Sequence, residues 1–551
     1  MPAIPPADAD PSPDDDAPSP AKPAPRRRRR FLLVARILLA LLTLGLVFHG
    51  LENHRGRSAW EAESQRLQNK DLPLTLREAL ARAAAARDPV GSNFCRLPMM
   101  AALRQFDHAA DGSLQFLHPE LVQQFDSLQL PLQPGDPPHF GAIGLQTPAD
   151  LVGWEQWLDG RSPSTTERSP SPTASDPTRV SEEATAASRI LEALSPTDWV
   201  YQSLVHAARE SGHAAFPSYL DGDESLQQLI DLDLPEVARL LHVGDAVQLR
   251  GLAALGLAEP DADAALDAWR VLQRLGDALR SGPALIHSVN ANHLDEACLN
   301  LIWDGLRRDA WTPEHLGQLR QGLSRIKPRQ HLRHTLEVEL NATVLLGCDY
   351  FKQHRGRLAA LLGGNHRFDP SRGPNLPSSA FWHVVVPRGW LDQNKANSAR
   401  LLVDYGIDPL AEHRLPPPLD SSTLARTPYR FYADLAVVGH LHAVHFAIDG
   451  ATWISLAETA IAIRQFEHRH QHPPESLREL IADRWLEQLP VDPWSPSAEP
   501  LAYTPPVDHR HSQPDANHHA DPVWRLHSVG PDPDRDPTAT HRPEWVGQAQ
   551  R

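Results

Sequence analysis

Histidines offer the densest groups of potentially reactive side chains in this chain. His440, His442 and His445 lie in VVGHLHAVHFAI. On a helix His442 and His445 share a face, three residues apart, while His440 points elsewhere. Imidazoles so placed can ligate a metal or act as bases. A zinc site needs a further ligand from another element, and no HExxH pattern supplies one. His468, His470 and His472 precede Pro473-Pro474 and suit a solvated helix end. His331, His334 and Glu337 are spaced three apart, which puts them on one helix face; ordinary surface polarity is the plainer reading.

Asp532, Asp534 and Asp536 in GPDPDRDP present alternating carboxylates, hard oxygen ligands suited to Ca²⁺. They are the metal-site candidates, and calcium is the one cofactor the sequence suggests. The segment lacks the glycine and terminal bidentate Glu of a helix-loop-helix calcium site, so an exposed acidic loop is the competing reading. No GxSxG elbow or GxxxxGK[ST] phosphate loop is present. Asp233 and Glu236 have only helix-surface spacing. No catalytic or cofactor-binding residue is assigned, and the expectation leans away from an enzyme, although triads assemble in space rather than in sequence. The three cysteines, Cys95, Cys298 and Cys348, are too few for a disulfide framework. Cys298 and Cys348 sit in apolar helical patterns as buried thiols, with a Cys298–Cys348 bridge as the oxidising-compartment alternative.

The elements that must position these groups are mostly helical. Aromatics make up 6% of the chain, and its apolar residues are dominated by Leu and Ala, which favours helix over sheet. Residues 1–25 are a Pro/Ala/Asp tail too poor in apolar residues to fold. Five arginines, Arg26–Arg30, then precede the apolar run FLLVARILLALLTLGLVF at 31–48. Eighteen residues of helix reach about 27 Å, enough for a bilayer core with snorkelling ends, and Arg36 lies close enough to one end to snorkel. The basic flank places the N-terminus in the cytoplasm. No small-x-small cleavage site follows, so an uncleaved signal-anchor at 26–50 is expected in a bacterial inner membrane, with the C-terminal mass extracytoplasmic; a cleaved signal peptide is the competing reading. Residues 51–551 hold 46 basic and 64 acidic side chains, a charge of −18 that repels nucleic acid.

Within that mass the expected division is a helical segment at 51–159, a Ser/Thr/Pro-rich linker at 160–180, and a helical domain at 181–452. A small α+β module at 453–536 and a polar, fraying tail at 537–551 follow. Ser195-Pro196-Thr197-Asp198 and Thr312-Pro313-Glu314 read as helix starts. Val271, Leu272, Leu275 and Leu279, like Leu299, Ile302, Trp303 and Leu306, follow helical spacing. Segments 500–503 and 523–527 read as two strands of a small hairpin.

The C-terminal HPPESLRELIADRWLEQLPVDPWS, PLAYT and VWRLHSVGPD resemble the end of the major pseudopilins of type II secretion. Asp492-Pro493-Trp494 and Ser528-Val529-Gly530-Pro531-Asp532 are the matching positions. Ser495 and Pro533 stand where that family has glycine, and the prepilin peptidase signature is absent. The resemblance implies a helix-and-strand head beside a calcium loop. Across most of its length the chain is similar to uncharacterised membrane-anchored proteins of planctomycete- and verrucomicrobia-type bacteria. GSNFCRLPMM, ALIHSVNANHLDEACLNLIWDGLRRDAWTPEHLGQL and VPRGWLDQNKANSARLL carry that similarity. The expected fold is therefore mainly α: one transmembrane helix, a helical-hairpin ectodomain and a small C-terminal α+β module. The expected role is a membrane-anchored scaffold for envelope protein partners. A periplasmic hydrolase with a site between ectodomain helices, using the His440–His445 group, is the alternative.

Overall fold

The computed structural model describes residues 26–86, 91–133, 136–141, 147–160, 177–218, 220–355, 386–418, 427–506, 523–530 and 544–548. These are mainly helical, with three small sheets. The chain enters through α1 (Arg26–Asn69), an unbroken helix of 44 residues. Eight further principal helices follow, separated by shorter pieces: α2 (Leu76–Ala85), α3 (Pro235–Gly256), α4 (Ala262–Arg280), α5 (Leu285–Arg307), α6 (Pro313–Leu323), α7 (Pro328–Glu339), α8 (Arg388–Leu402) and α9 (Val438–His470).

Helix α1 has two halves of opposite character. Its apolar window is long and apolar enough to cross a membrane, and none of that window is buried against protein. Beyond Phe48 the same helix continues for about 30 Å and acquires a buried stripe. Glu52, Gly56, Glu63 and Leu67 recur at turn spacing and are all buried. That stripe packs on α8. The backbones meet at two glycines: a Cβ on Gly56 would lie 2.2 Å from the Gly389 carbonyl oxygen, and one on Gly389 would lie 1.9 Å from that of Glu52. Glu52 accepts from Trp390 Nε1 at 3.0 Å and Gln393 Nε2 at 3.3 Å. Glu63 accepts from Arg400 at 2.8 Å and from Arg66 at 2.7 Å. Arg66 reaches on to Asp404, and Lys70 pairs with Asp408 at 2.7 Å.

Helices α3, α4 and α5 pack against one another in succession, and α9 lies across α5, α6 and α7. Although α9 also passes the length and composition test for a membrane span, 61% of its apolar window is already covered by protein. It is a central helix of the body. The periodic residues of α4 and α5 face inward: Val271, Leu272, Leu275 and Leu279 are fully buried, and Leu299, Ile302, Trp303 and Leu306 nearly so. Thr312 caps α6 as its spacing predicts, accepting from the His315 amide. One continuous core runs from Phe94 to Leu526, and the expected boundary at 452/453 falls inside α9.

Strand β1 (Ser92–Asn93) pairs in parallel with β4 (Ser211–His213), and β2 (Phe106–His108) forms an antiparallel hairpin with β3 (Leu114–Phe116). At the C-terminus β5 (Ala502–Thr504) and β6 (Val523–His527) pair antiparallel as expected, with Ala502 opposite His527. The tail departs from expectation. Glu544–Gln548, expected to fray, forms β7 and pairs with the whole of β6. Its alternation, E-W-V-G-Q, is short and polar at both ends, so it acquires strand structure only from the unpaired edge of β6. The Cys298–Cys348 alternative is also corrected: all three cysteines are free and buried, and Cys298 and Cys348 lie in separate apolar clusters.

The α1–α8 crossing should tolerate no side chain at its closest point. Gly389→Ala is expected to cost about 1–3 kcal/mol through forced separation of the helices, read as a lower Tm of the full chain in detergent. Gly50→Ala, where an added Cβ meets nothing within 4 Å, should leave Tm unchanged or slightly raised. Equal effects of the two substitutions would remove the crossing from the stability of the fold.

Candidate functional site

A cavity of about 490 Å³ opens where α4, α7, the end of α2 and the loop after β4 converge. Helix α4 contributes Arg274, Asp277 and Arg280, spaced three apart, and Ser281 follows at its C-cap. Helix α7 contributes His331, His334, Thr335 and Val338, the i, i+3, i+4, i+7 stripe of a single helix face. The connection between α6 and α7 adds Arg325 and Lys327, and Gly282-Pro283 closes α4 at the rim. Ala83, Ala86, Ala214 and Ala215 supply a wall of small apolar side chains.

Hydrogen bonds hold these walls in place. Asn93 reaches across from β1 in both directions: its Nδ2 donates to the Ala215 carbonyl at 2.7 Å, and its Oδ1 accepts from the Ala215 amide at 3.0 Å. Ser281 Oγ accepts from the Phe216 amide at 3.0 Å, tying the same loop to the end of α4. Arg104 lies over the Phe216 ring and pairs with the buried Glu236 at 2.8 Å, with His287 also on Glu236. On the α7 side, Ser288 Oγ lies 2.8 Å from His331 Nε2 and 2.7 Å from Thr335 Oγ1. Ser288 is itself buried in α5, so this contact orients the imidazole and does not expose a nucleophile.

The electrostatics of the cavity run against those of the chain. Asp277 is shared: it accepts from Arg274 at 3.1 Å and from Arg280 at 2.9 Å. Arg280 also makes a two-oxygen pair with Asp295, at 2.7 and 2.8 Å. Burial disfavours the Arg280 cation, but Asp295 and Asp277 more than reverse this and hold it charged. For Arg274 the balance goes the other way. Burial lowers its pKa, Arg325 adds to that effect, and its half-share of Asp277 does not compensate.

The residues singled out from the sequence are distributed differently. His331 and His334 do line the cavity. Glu337 turns instead into the interior, 1% exposed, where Arg333 Nε donates to it at 3.1 Å. The reading of the three as ordinary surface polarity is therefore corrected. None of His440, His442 and His445 lines the cavity, and they do not converge. His440 pairs with the buried Glu339 at 3.3 Å, His442 is exposed, and His445 meets the Trp494 ring edge-on. Burial pushes the His445 imidazole below its usual range and the Asp449 carboxyl above its own, with the Trp494 indole N–H donating to Asp449. His470 pairs with Asp483 and stacks on Phe466. Among the described residues no group of three or more His, Cys, Asp or Glu side chains is arranged to hold a metal ion. Asp532, Asp534 and Asp536 lie outside the described residues.

The two halves of the DPW and SVG motif do meet. The buried Asp492 carboxylate accepts from the Trp494 amide at 2.9 Å, from Ser528 Oγ at 2.7 Å and from the Val529 amide at 2.7 Å. Gly530 follows at φ 74°, a conformation glycine adopts without strain. This clasp closes the C-terminal sheet against α9. Sequence reasoning missed Arg274, Arg280 and the α6–α7 connection. A usable signal was RIKPRQHLRH, a basic run in an otherwise acidic chain.

Comparison with known proteins yields no matching family model, no matching curated protein and no matching solved structure.

Asp492→Ala would strand three donors, two of them backbone amides, at a cost of about 3 kcal/mol. Hydrogen exchange should show β5 and β6 losing protection while α3–α5 keep theirs; unchanged protection of β6 would refute the clasp.

Proposed function

We propose that this chain is a membrane-tethered envelope scaffold that holds its helical body at a fixed height and orientation above the bilayer. Residues 31–48 occupy the membrane of a bacterial cell, the arginine-flanked tail faces the cytoplasm, and the body docks protein partners on the far side. The observation that carries this reading is the continuity of α1. A helix apolar enough to cross a membrane runs without interruption into a stripe locked on α8 through Glu52 and Glu63. A flexible linker after the apolar run would let the body swing, whereas a continuous helix transmits the bilayer's orientation to it. The basic flank at Arg26–Arg30 supports the orientation. The acidic body suits protein partners with basic surfaces and is repelled by anionic headgroups.

The experiment is crosslinking in native membranes, followed by purification of the full chain in detergent and identification of stoichiometric partners. A flexible Gly/Ser insertion at residue 50 should leave the Tm of the body unchanged and sharply reduce the partner's yield. A full chain recovered as a partner-free monomer, or a partner yield indifferent to the insertion, would overturn the scaffold reading.

A further inference from the structure

The cavity between α4 and α7 has a charge pattern that structural needs alone do not explain. Four cations, Arg274, Arg280, Arg325 and Lys327, line it. The carboxylates paired with them are Asp277 and Asp295, so four positive charges against two negative leave a local charge of +2 in a chain of net charge −16. Lys327 also feels Glu458, although the two make no ion pair among the described residues.

Arg274 is the informative member. It is 7% exposed, and its buried Nε has no hydrogen-bond partner among the described residues. Its one acid, Asp277, is shared with Arg280. Its other charged neighbour is Arg325, a like charge that makes no ion pair among the described residues. Burying an incompletely paired guanidinium is costly, and two cations facing one space raise the cost further. An occupant carrying two negative charges would offset both.

We infer that this cavity binds a small soluble phosphate monoester, its phosphoryl group held by Arg274, Arg325 and Lys327 and its body against the alanine wall. A phosphate monoester carries close to two negative charges at neutral pH, matching the local excess, where a carboxylate carries one. Its oxygens accept from forked guanidinium donors and from a lysine point charge at once. His331 and His334 line the same α7 side of the cavity. The volume of about 490 Å³ falls within the range of small-ligand sites and is too small for a two-chain lipid.

The test is calorimetric titration of the full chain in detergent with phenyl phosphate, benzoate and inorganic phosphate as probes. Phenyl phosphate is expected to bind at least tenfold more tightly than benzoate and more tightly than inorganic phosphate. Arg325 is exposed, so Arg325→Ala should fold normally and weaken phenyl phosphate at least tenfold; Lys327→Ala serves as a second variant of the same kind. Arg274→Met, if it folds, should abolish binding. Equal affinity for benzoate would overturn the phosphate assignment, and so would phenyl phosphate affinity unchanged in both Arg325→Ala and Lys327→Ala. No binding of any probe would overturn the site itself.

Discussion

Two carboxylates buried on the first helix constrain much of the rest of the molecule. Glu52 and Glu63 lie three turns apart on the face that the helix turns toward the body. Removing a carboxylate from water is costly unless several donors meet it. Trp390, Gln393 and Arg400 meet these two from a segment more than three hundred residues away in sequence. Because each donor fits one height along α1, the pairing sets the register of α8 on it. The glycine crossing lets the backbones come close enough for those donors to reach. Apolar packing alone would allow the helices to slide; charged groups that must be satisfied do not.

From that junction the order spreads through two kinds of contact. Leu67 and Leu72, just past the buried glutamates, enter a cluster with Leu336, Val403 and Val444, so the end of α1 becomes part of the body's interior. Farther on, α9 serves as an axis. Its middle packs on α5 and α7, and its Asp449 receives the Trp494 indole from the C-terminal turn. Its end receives another: Glu467 accepts from Trp524 of β6 and from Arg464. The C-terminal sheet is therefore seated on α9 through polar contacts as well as packing.

The cavity occupies a place where this order is incomplete. Its walls belong to helices fixed by their other faces, so α4 and α7 cannot collapse onto each other to fill the gap. Of the charges that line it, Arg274, Asp277 and Arg280 hold one another, while Arg325 and Lys327 make no ion pair among the described residues. Arg280 is well compensated and has a structural role in joining α4 to α5 through Asp295. Arg274 and Arg325 lack such a role. That difference within one cluster separates structural cations from those available to a ligand.

Much of the helical architecture was legible in the sequence, because helical periodicity and caps are local. The inward faces of α4 and α5 and the Thr312 cap follow from residues within one or two turns of each other; the apolar run with its arginine flank and the strands β5 and β6 are each read from one contiguous segment. What was not legible depends on partners distant in sequence. Nothing near Glu52 or Glu63 indicates that a glutamate there will be buried. The spacing of His331, His334 and Glu337 implied a common face, and His334 does lie 3.6 Å from Glu337, but the spacing did not show that Glu337 is buried beneath it. Tertiary packing turned Val338 to the cavity and Glu337 to the interior. Likewise a polar tail read as fraying became a strand because β6 offered it an open edge. The sequence by itself determined where helices begin, end and turn apolar, since those depend on short-range backbone and solvation terms. Only the tertiary structure decided which charges are paired and which are left facing a cavity, because that depends on neighbours supplied by the whole chain.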